Sequence, residues 1–359
     1  MTDSLRVALL GSSNFPIAEP YAGGMEAHIG QLSRALTERG HSVTLFAAEG
    51  STLDVADDLL SVARLELSDI SKADITTPAR AVSEHHAYLS VMMQLAGELS
   101  DAFDVIHNHS LHYLPIAMSR TVRTPMLTTL HTPPFAWLES AVALSGSTGV
   151  EFAAVSEHAA RQWFPVTGPV NVVANGISLE RWPEGPGGAG AVWSGRLVPE
   201  KGPHLAIDAA RAAGFSLTLA GPASNTAYFE AEVAPRLGGD VTYAGHLRQR
   251  ELATLVGSSA VALATPVWEE PYGLVVAEAL ACGTPVAAFD RGGIPEILDP
   301  TSGRLARPDS VEDLARAMIE ARTLSRHDAR ARAESACSER RMVDQYLSLY
   351  DTMMSGAAL

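Results

Sequence analysis

Short apolar runs alternate with helix-like patterns along this chain of 359 residues, and the alternation constrains the fold more than any other feature. Arg6–Leu10 has the composition of a buried strand, residues 24–39 carry apolar side chains at helical spacing, and Ser42–Ala47 again resembles a strand. Strands that alternate with helices usually form parallel sheets joined by crossover helices. The sequence therefore predicts an α/β fold of the doubly wound, Rossmann-like kind.

The alternation is interrupted by the segment PEGPGGAG at residues 183–190, where Pro and Gly dominate and no apolar face can be drawn. Since a domain typically has ~100 to 200 residues, the chain length also suggests two domains. We predict a Rossmann-like domain at 1–178, a linker at 179–189 and a second domain at 190–337. Two such domains facing each other would form a central cleft at the carboxyl ends of their strands, where ligands bind in these sheets.

Each predicted domain contains further patterns of both kinds. The remaining predicted strands lie at 105–107, 126–130, 152–155, 170–173, 191–193, 217–219, 241–243, 261–264 and 286–288. The remaining predicted helices lie at 78–103 (one long or two shorter), 203–213, 248–256, 273–281 and 311–322.

Charge and cysteine content exclude several classes of protein. The chain has 26 Lys and Arg against 41 Asp and Glu, a formal net charge of -15, which is the wrong sign for binding nucleic acid backbones. Its two cysteines, Cys282 and Cys337, are too few for a disulfide framework and fit a reducing compartment. The N-terminal apolar stretch is short for a signal peptide, and no run approaches the ~20 apolar residues of a membrane span. We predict a cytoplasmic protein without integral membrane association.

The segment WEEPYGLVVAEALACGTPVAA at residues 268–288 is the most informative part of the chain. After Gly273 the helical pattern is apolar on every face except at Glu278, which predicts a buried carboxylate. An internal arginine or backbone donors would explain such a carboxylate about as well as a ligand, since burying it unpaired costs several kcal/mol. However, Glu270 lies eight residues earlier, and the glycine at the helix start offers N–H groups that favour an anion. A phosphate flanked by two carboxylates that accept bonds from hydroxyls describes a nucleotide sugar.

The segment WSGRLVPEKGP at residues 193–203 places Arg196 and Lys201 in a loop between a strand and a helix. Arg can bind phosphate oxygens through bidentate hydrogen bonds and Lys acts as a point charge, so the pair suits a diphosphate. A solvated loop with a surface salt bridge to Glu200 is the alternative. Lys201 and Lys72 are the only lysines among the 26 basic residues, which favours a specific need for lysine at position 201.

Several motifs together resemble the family 4 retaining glycosyltransferases of the GT-B fold. The resemblance covers residues 6–350, and the spacing of Glu270 and Glu278, with seven residues between them, followed by ALACGTPV and GGIPE, is its most specific part. The other matching motifs are YAGGME at 21–26, HTP at 131–133, NGI at 175–177, and Gly195-Arg196 with Lys201-Gly202.

The resemblance implies a role for each matching residue. In the family a cationic pair binds the diphosphate, the first glutamate bonds sugar hydroxyls, the second bonds the ribose, and a histidine lies beside the transferred sugar. Glycines near the N-terminus approach the donor phosphate and the acceptor, and the last helix, here 339–353, packs back on the first domain. The implied donor-binding residues are Gly23, Gly24, Arg196, Lys201, Glu270, Gly273, Leu274 and Glu278, and the implied catalytic residues are His131, Arg196, Lys201 and Glu270.

No metal and no cofactor is expected. His107, His109 and His112 have no acidic or cysteine partner at ligand spacing, so we interpret them as loop residues. No Asp-x-Asp motif is placed to hold a divalent ion. The loop GSSNFP that begins at Gly11 lacks the Gly-x-Gly-x-x-Gly pattern of a nicotinamide or flavin site.

The resulting hypothesis is a retaining transfer of a hexose from a nucleoside-diphosphate sugar to a hydroxyl of a soluble small-molecule acceptor. A uridine diphosphate donor is favoured over a guanosine one only because it is more frequent. Residues 78–103 contain Arg80 as their single basic residue, unlike the basic amphipathic helix of relatives that act on lipids. A nucleotide-sugar 2-epimerase and a non-catalytic nucleotide-sugar-binding protein are the alternatives, and a homodimer is left open.

Overall fold

A computed structural model describes residues 4–52, 58–62, 65–72, 78–146 and 149–356. The chain divides into two compact units, which are described separately. The first comprises Met1–Val155, Ala160–Val173 and Val343–Leu359, and the second comprises Ser156–Ala159 and Ala174–Met342. Residues 179–189, predicted to be a linker, belong to the second unit, and the predicted last helix contributes its residues from Val343 onward to the first.

The strands of the described residues form two parallel sheets. Those of the first sheet are β1 Arg6–Leu10, β2 Ser42–Ala47, β3 Asp58–Ser61, β4 Val105–Asn108, β5 Met126–Leu130, β6 Glu151–Ala154 and β7 Asn171–Val172. Those of the second are β8 Ala191–Ser194, β9 Leu217–Ala220, β10 Val241–Tyr243, β11 Val261–Ala264, β12 Val286–Phe289 and β13 Gly303–Ala306.

Most of the helices connect consecutive strands as crossovers, and the last three follow the final strand β13. They are α1 Gly24–Glu38, α2 Asp69–Lys72, α3 Ala79–Ala96, α4 Tyr113–Ala117, α5 Ala136–Ser145, α6 Glu157–Thr167, α7 Pro203–Ala213, α8 Thr226–Tyr228, α9 Gln249–Gly257, α10 Leu274–Ala281, α11 Ile294–Ile297, α12 Val311–Ala321, α13 Arg326–Ala336 and α14 Glu339–Gly356. In the described part of the chain, none of these helices is both long enough and apolar enough to cross a bilayer.

In the first sheet the strand order is β3-β2-β1-β4-β5-β6-β7. The chain moves outward from β1 to β3 on one side and from β4 to β7 on the other, so the direction of winding reverses between β1 and β4. The loops that leave the carboxyl ends of these two strands diverge, and such a switch point is where ligands bind in open α/β sheets. His109 follows β4 at this position, and His131 follows the neighbouring strand β5.

In the second sheet the order is β10-β9-β8-β11-β12-β13, so the winding reverses between β8 and β11. The loop after β8 carries Arg196 and Lys201, and the loop after β11 carries Glu270. These loops are far apart in the sequence, but the fold brings them to the same edge of the sheet. The segments 193–203 and 268–288, which the sequence indicates as candidate ligand-binding segments, therefore both reach this one switch point.

The predicted α/β class and the doubly wound sheets are confirmed. Strands β11 and β12, with sequences VALA and VAAF, are buried along their whole length, as expected for parallel strands covered on both faces. Two strands were not predicted. Strand β3 (DLLS) is exposed throughout, and β13 (GRLA) carries an arginine at a sheet edge, so neither has the continuous apolar pattern of a central strand.

Candidate functional site

Glu270 and Lys201 form an ion pair at the switch point of the second sheet. The Nζ atom of Lys201 lies 2.5 Å from Oε2 of Glu270, and the two side chains are 23% and 15% exposed. The indole Nε1 of Trp268 also donates a hydrogen bond to Oε2, at 2.9 Å, and the ammonium of Lys201 lies 5.2 Å from the centroid of the Trp268 ring. The carboxylate is therefore held by two donors, and the lysine by a carboxylate and an aromatic face.

This arrangement leaves bonding capacity unused among the described residues. Oε1 of Glu270 has no hydrogen-bond donor among the described residues, and an ammonium has three N–H donors, of which Glu270 uses one. A carboxylate with one oxygen fixed and the other free is suited to accept a bond from a hydroxyl. The sequence predicted Glu270 and Lys201 but not Trp268, whose position two residues before Glu270 was the available signal.

Two glycines of the motif GGIPE support the backbone at Glu270. The N–H of Gly293 donates to the carbonyl of Glu270 at 2.7 Å. Gly292 has φ 66°, and a Cβ atom there would lie 2.0 Å from the same carbonyl oxygen. Any larger residue at position 292 would push the loop away, so this motif acts by letting two backbone segments pack closely.

The residues that follow Glu270 are anchored by two more hydrogen bonds. The hydroxyl of Ser156 donates to the carbonyl of Pro271 at 2.6 Å, and the hydroxyl of Tyr272 donates to the carbonyl of Asn175 at 2.8 Å. Asn175 belongs to the NGI motif, which gives that motif a structural role in fixing the loop. The segment that carries Glu270 is thus rigidly positioned before any ligand binds.

Gly273 and Leu274 lie at the start of α10, as the sequence predicted for a phosphate-binding position. Gly273 has φ 107°, in the left-handed region that favours glycine, and a Cβ there would lie 2.9 Å from Cγ1 of Ile294. Leu274 is the first residue of the helix, whose initial N–H groups have no partner within the helix. Such a helix start attracts an anion.

Glu278 lies in the middle of α10 among buried apolar neighbours. The side chain is half-buried, and burial raises the pKa of its carboxyl group from the ordinary value of 4.5 to about 7. It forms no ion pair among the described residues, so the alternative of an internal arginine partner is not observed. Near neutral pH the group is divided between the acid and the carboxylate, and a ligand that donates to it would favour the carboxylate.

Replacing Glu278 with glutamine is expected to stabilise the free protein at pH 8 and to weaken nucleotide binding. The native state holds this proton more tightly than the unfolded state, so between pH 4.5 and about 7 the free energy of unfolding falls as the pH rises. At about 1.4 kcal/mol per unit of pKa, the rise from 4.5 to about 7 makes the gain from Glu278→Gln on the order of 3 kcal/mol at pH 8, and this gain disappears at low pH.

Thermal unfolding at pH 4 and pH 8 measures the first effect, and titration calorimetry with UDP measures the second. Glu269→Gln is the matched control, because Glu269 is about half exposed and pairs with His158. Unchanged UDP affinity in Glu278→Gln would remove Glu278 from the nucleotide site.

Arg196 does not join the pair formed by Lys201 and Glu270. Its guanidinium lies 3.7 Å from Oε1 of Glu200, and the two side chains are 40% and 41% exposed. This is the solvated surface pair that the sequence left open as the alternative to diphosphate binding. Within the described residues Arg196 contacts neither Lys201 nor Glu270 through an ion pair, and its role toward a diphosphate stays a prediction.

Histidines cluster at the carboxyl edge of the first sheet. Nδ1 of His109 lies 2.9 Å from Nε2 of His131, and the ring of His28, on α1, lies 5.3 Å and 5.1 Å from their ring centroids. Burial lowers the pKa of His131 well below its ordinary value, and His28 lowers it further, so its imidazole is neutral at physiological pH. The sequence predicted His131 but missed His28, which is distant in the sequence.

The interpretation of His107, His109 and His112 as loop residues is correct for His109 and His112, which lie outside helices and strands, and wrong for His107. His107 lies inside β4 and is fully buried, with hydrogen bonds to the hydroxyls of Tyr350 at 2.6 Å and Thr129 at 2.8 Å. His112 caps α4 by accepting a hydrogen bond from the N–H of Leu114. His109 joins the cluster described above. The partners of His107 come from β5 and α14, so the sequence spacing could not reveal these contacts, whereas the cap made by His112 is local.

Gly23 and Gly24 lie at the amino end of α1. Gly23 is the residue before the helix and has extended backbone, with φ −166°, while Gly24 is its first residue. A Cβ on Gly23 would lie 3.0 Å from Oε2 of Glu26, a tight contact that would displace the carboxylate. A side chain at position 23 would therefore require the Glu26 carboxylate to shift, and the predicted approach of a phosphate stays a prediction.

Comparison with solved structures defines the fold. Sucrose-phosphate synthase from Thermosynechococcus elongatus superposes with a TM-score of 0.78 at 20% identity, covering 98% of this chain and 100% of that one. HepE from Anabaena, solved in complex with UDP-glucose, superposes with a TM-score of 0.76 at 18% identity, covering 97% and 100%. The fold is the GT-B fold of glycosyltransferases.

Sequence comparison identifies the family. Residues 22–181 match Glycosyltransferase Family 4, and residues 184–336 match Glycosyl transferases group 1. Glycogen synthase from Mycobacterium tuberculosis is 26% identical, over 82% of this chain and 81% of its own length. D-inositol 3-phosphate glycosyltransferase from Mycolicibacterium smegmatis is 28% identical, over 98% and 92%. The chain belongs to the family 4-type glycosyltransferases, as the motifs indicated.

Proposed function

We propose that this glycosyltransferase moves a hexose from a nucleoside-diphosphate sugar, a UDP-sugar, to a hydroxyl of a soluble small-molecule acceptor with retention of anomeric configuration. The observation that carries the proposal is the Glu270 carboxylate, which is fixed at Oε2 by Lys201 and Trp268, while Oε1 accepts no hydrogen bond from the described part of the chain. This group lies three residues before Gly273, the residue that immediately precedes α10. A carboxylate suited to bind a sugar hydroxyl and a helix start suited to bind an anion thus lie on one short segment.

The diphosphate would be held by positive charge that the second unit already contains. Lys201 supplies a full charge and the start of α10 supplies oriented N–H groups, both of which stabilise the charge that develops on the leaving phosphate. Because these groups are fixed before the reaction, they need no reorganisation in the transition state. They provide the electrostatic role that a divalent ion fills in other transferases, which supports a metal-independent transfer.

The donor's hydroxyls would be recognised by the two glutamates. Oε1 of Glu270 accepts from a sugar hydroxyl, and Glu278, with its raised pKa of about 7, accepts from the ribose as the carboxylate. Binding of the ribose then releases a proton from Glu278 near neutral pH. The UDP-glucose complex of HepE, a protein of the same fold, supports uridine as the base.

His131 would bond the transferred sugar as a neutral imidazole. Its pKa is held well below the ordinary value by burial, so it donates or accepts a hydrogen bond without adding a positive charge beside a ring that itself becomes positive. We propose attack by the acceptor on the face from which the phosphate leaves, with the departing phosphate oxygen taking the acceptor's proton. This route gives retention without a covalent intermediate on the enzyme.

An exposed aromatic stack in the first unit supports an acceptor that contains a ring. Trp137 is 67% exposed, and its ring stacks on that of Tyr113 at 5.3 Å between centroids and 22° between planes. Tyr113 and Trp137 follow β4 and β5, at the same sheet edge as His131. A large exposed indole backed by a second ring is a surface on which a sugar or other ring can pack.

The function is tested by adding UDP-, GDP- and ADP-sugars to the purified protein. A UDP-sugar at ~100 times its dissociation constant is expected to stabilise the fold by about 2.7 kcal/mol, measured by thermal unfolding, and the other donors by less. With acceptor present, NMR is expected to show transfer with an unchanged anomeric configuration. Sugar isomerisation with donor alone would identify an epimerase instead, and binding without turnover toward any acceptor would identify a binding protein.

A further inference from the structure

Three imidazole rings converge at the carboxyl edge of the first sheet from three different elements. They belong to His28 on α1, His109 after β4 and His131 after β5, and are called the histidine cluster below. Each offers one ring nitrogen, and these three nitrogens all lie within 4.8 Å of one another. Because the three histidines come from separate parts of the chain, the fold itself brings these nitrogens close enough to form one site.

The histidine cluster has unused bonding capacity in the protein interior. Both ring nitrogens of His28 and Nε2 of His109 are buried and have no hydrogen-bond partner among the residues that the structure describes, and the two residues are 2% and 0% exposed. Buried polar atoms are normally satisfied, and each unsatisfied one destabilises the folded state. Neither residue is used in the proposed transfer. A group that binds several imidazole nitrogens at once would remove this cost.

The chemistry of the cluster selects the kind of group. Neutral imidazoles are ligands of borderline transition metals such as Zn²⁺, Co²⁺ and Ni²⁺, whereas Mg²⁺ and Ca²⁺ prefer oxygen ligands. Three protein nitrogens around Zn²⁺ leave further coordination open to water or another small ligand. His131 is only half-buried, which gives an ion a route from solvent.

We propose that His28, His109 and His131 bind one Zn²⁺-class ion and that this ion inhibits glycosyl transfer. The ion takes the nitrogens that converge in the cluster and replaces the hydrogen bond between His109 and His131. It thereby withdraws His131 from the transferred sugar. Metal binding stands on the cluster alone, whereas inhibition rests on the role proposed for His131. The enzyme would remain independent of metal for its chemistry and become sensitive to zinc.

Binding is tested first on the full chain, without a histidine tag and after treatment with a chelator. Co²⁺ titration is expected to give visible absorption bands of a low-symmetry nitrogen site, saturating at one ion per chain and displaced by Zn²⁺. Mg²⁺ at the same concentration is expected to give no displacement. Calorimetry with Zn²⁺ provides the stoichiometry and affinity. Absence of both the bands and the one-to-one stoichiometry would overturn the proposal without using any variant.

Variants then locate the ion. Loss of a partner around a bound metal commonly weakens affinity by 10- to 100-fold, so loss of a ligand in His28→Gln or His109→Gln is expected to weaken Zn²⁺ binding by roughly 100-fold. His86→Gln, on α3 and outside the cluster, is the matched control and should bind as the wild type does. Circular dichroism and thermal unfolding establish that each variant is folded. Equal Zn²⁺ affinity in folded His28→Gln and wild type would place the ion elsewhere.

Inhibition is tested separately by adding Zn²⁺ to an active transfer assay. Turnover is expected to fall as Zn²⁺ occupies the site that the Co²⁺ titration identifies. Addition of a chelator is expected to restore it. Binding without inhibition would overturn the inhibitory role and would count against His131 as a partner of the sugar. A chain that binds the ion but shows no transfer with any donor would contradict the proposed function and leave the metal site intact.

Discussion

Replacing Glu270 with alanine is expected to lower kcat by about 100-fold or more while the protein stays folded. In the wild type, Oε2 accepts from both Lys201 and Trp268, so the carboxylate is oriented before substrate binds and Oε1 is left for a sugar hydroxyl. Alanine removes the acceptor and also frees Lys201 from its partner. The loss is expected mainly in kcat, because a contact that strengthens as charge develops is lost chiefly from the transition state.

The neighbouring residue offers a matched control for Glu270→Ala. Glu269 is also acidic, but it is 48% exposed and pairs with His158 at 3.2 Å. Exposed pairs of this kind contribute little, so Glu269→Ala should change kcat by no more than a few-fold. Steady-state kinetics with a UDP-sugar and a fixed acceptor compare the two variants, with thermal unfolding as the check on folding. Equal rates in the two variants would refute the role of Glu270.

The parts of the fold that were predicted are those whose sequence pattern follows directly from burial. Strands such as β11 are covered on both faces, so apolar residues fill every position and the pattern is evident. Strand β3 was missed because an exposed edge strand needs no such pattern. Helix α5 was also missed, because its sequence AWLESAVALS is apolar on several sides and includes the exposed Trp137 and Leu144, which obscure the helical periodicity.

The sequence identified individual residues of the candidate site but not which of them lie together, and the reason is physical. Lys201 and Glu270 are 69 residues apart, and only the reversal of winding between β8 and β11 brings them together. Their residue types and flanking glycines identified them individually, but nothing in the sequence showed that they form a pair. Arg196 has the same kind of signal as Lys201, and the structure places it in a solvated pair instead. His28 was missed because its partners come from different strands.

Replacing Lys201 with alanine is expected to lower kcat/KM by about 100-fold or more and to weaken UDP binding. The ammonium supplies the one full positive charge that the structure pairs with Glu270, and its loss leaves that carboxylate, only 15% exposed, with Trp268 as its single donor. The negative charge then opposes an incoming diphosphate. Lys72→Ala is the matched control, since Lys72 is the only other lysine and its side chain is 62% exposed beside Asp69.

The double variant distinguishes a functional pair from two independent residues. If Lys201 and Glu270 act as one unit, the combined loss in kcat/KM is expected to be clearly smaller than the product of the two single losses. Lys201→Ala alone is expected to weaken UDP binding more than the double variant does, because only the single variant leaves an unpaired carboxylate beside the diphosphate. UDP calorimetry and steady-state kinetics on the three variants measure both effects. Strictly multiplicative losses would show that the 2.5 Å contact in the free protein has no part in catalysis.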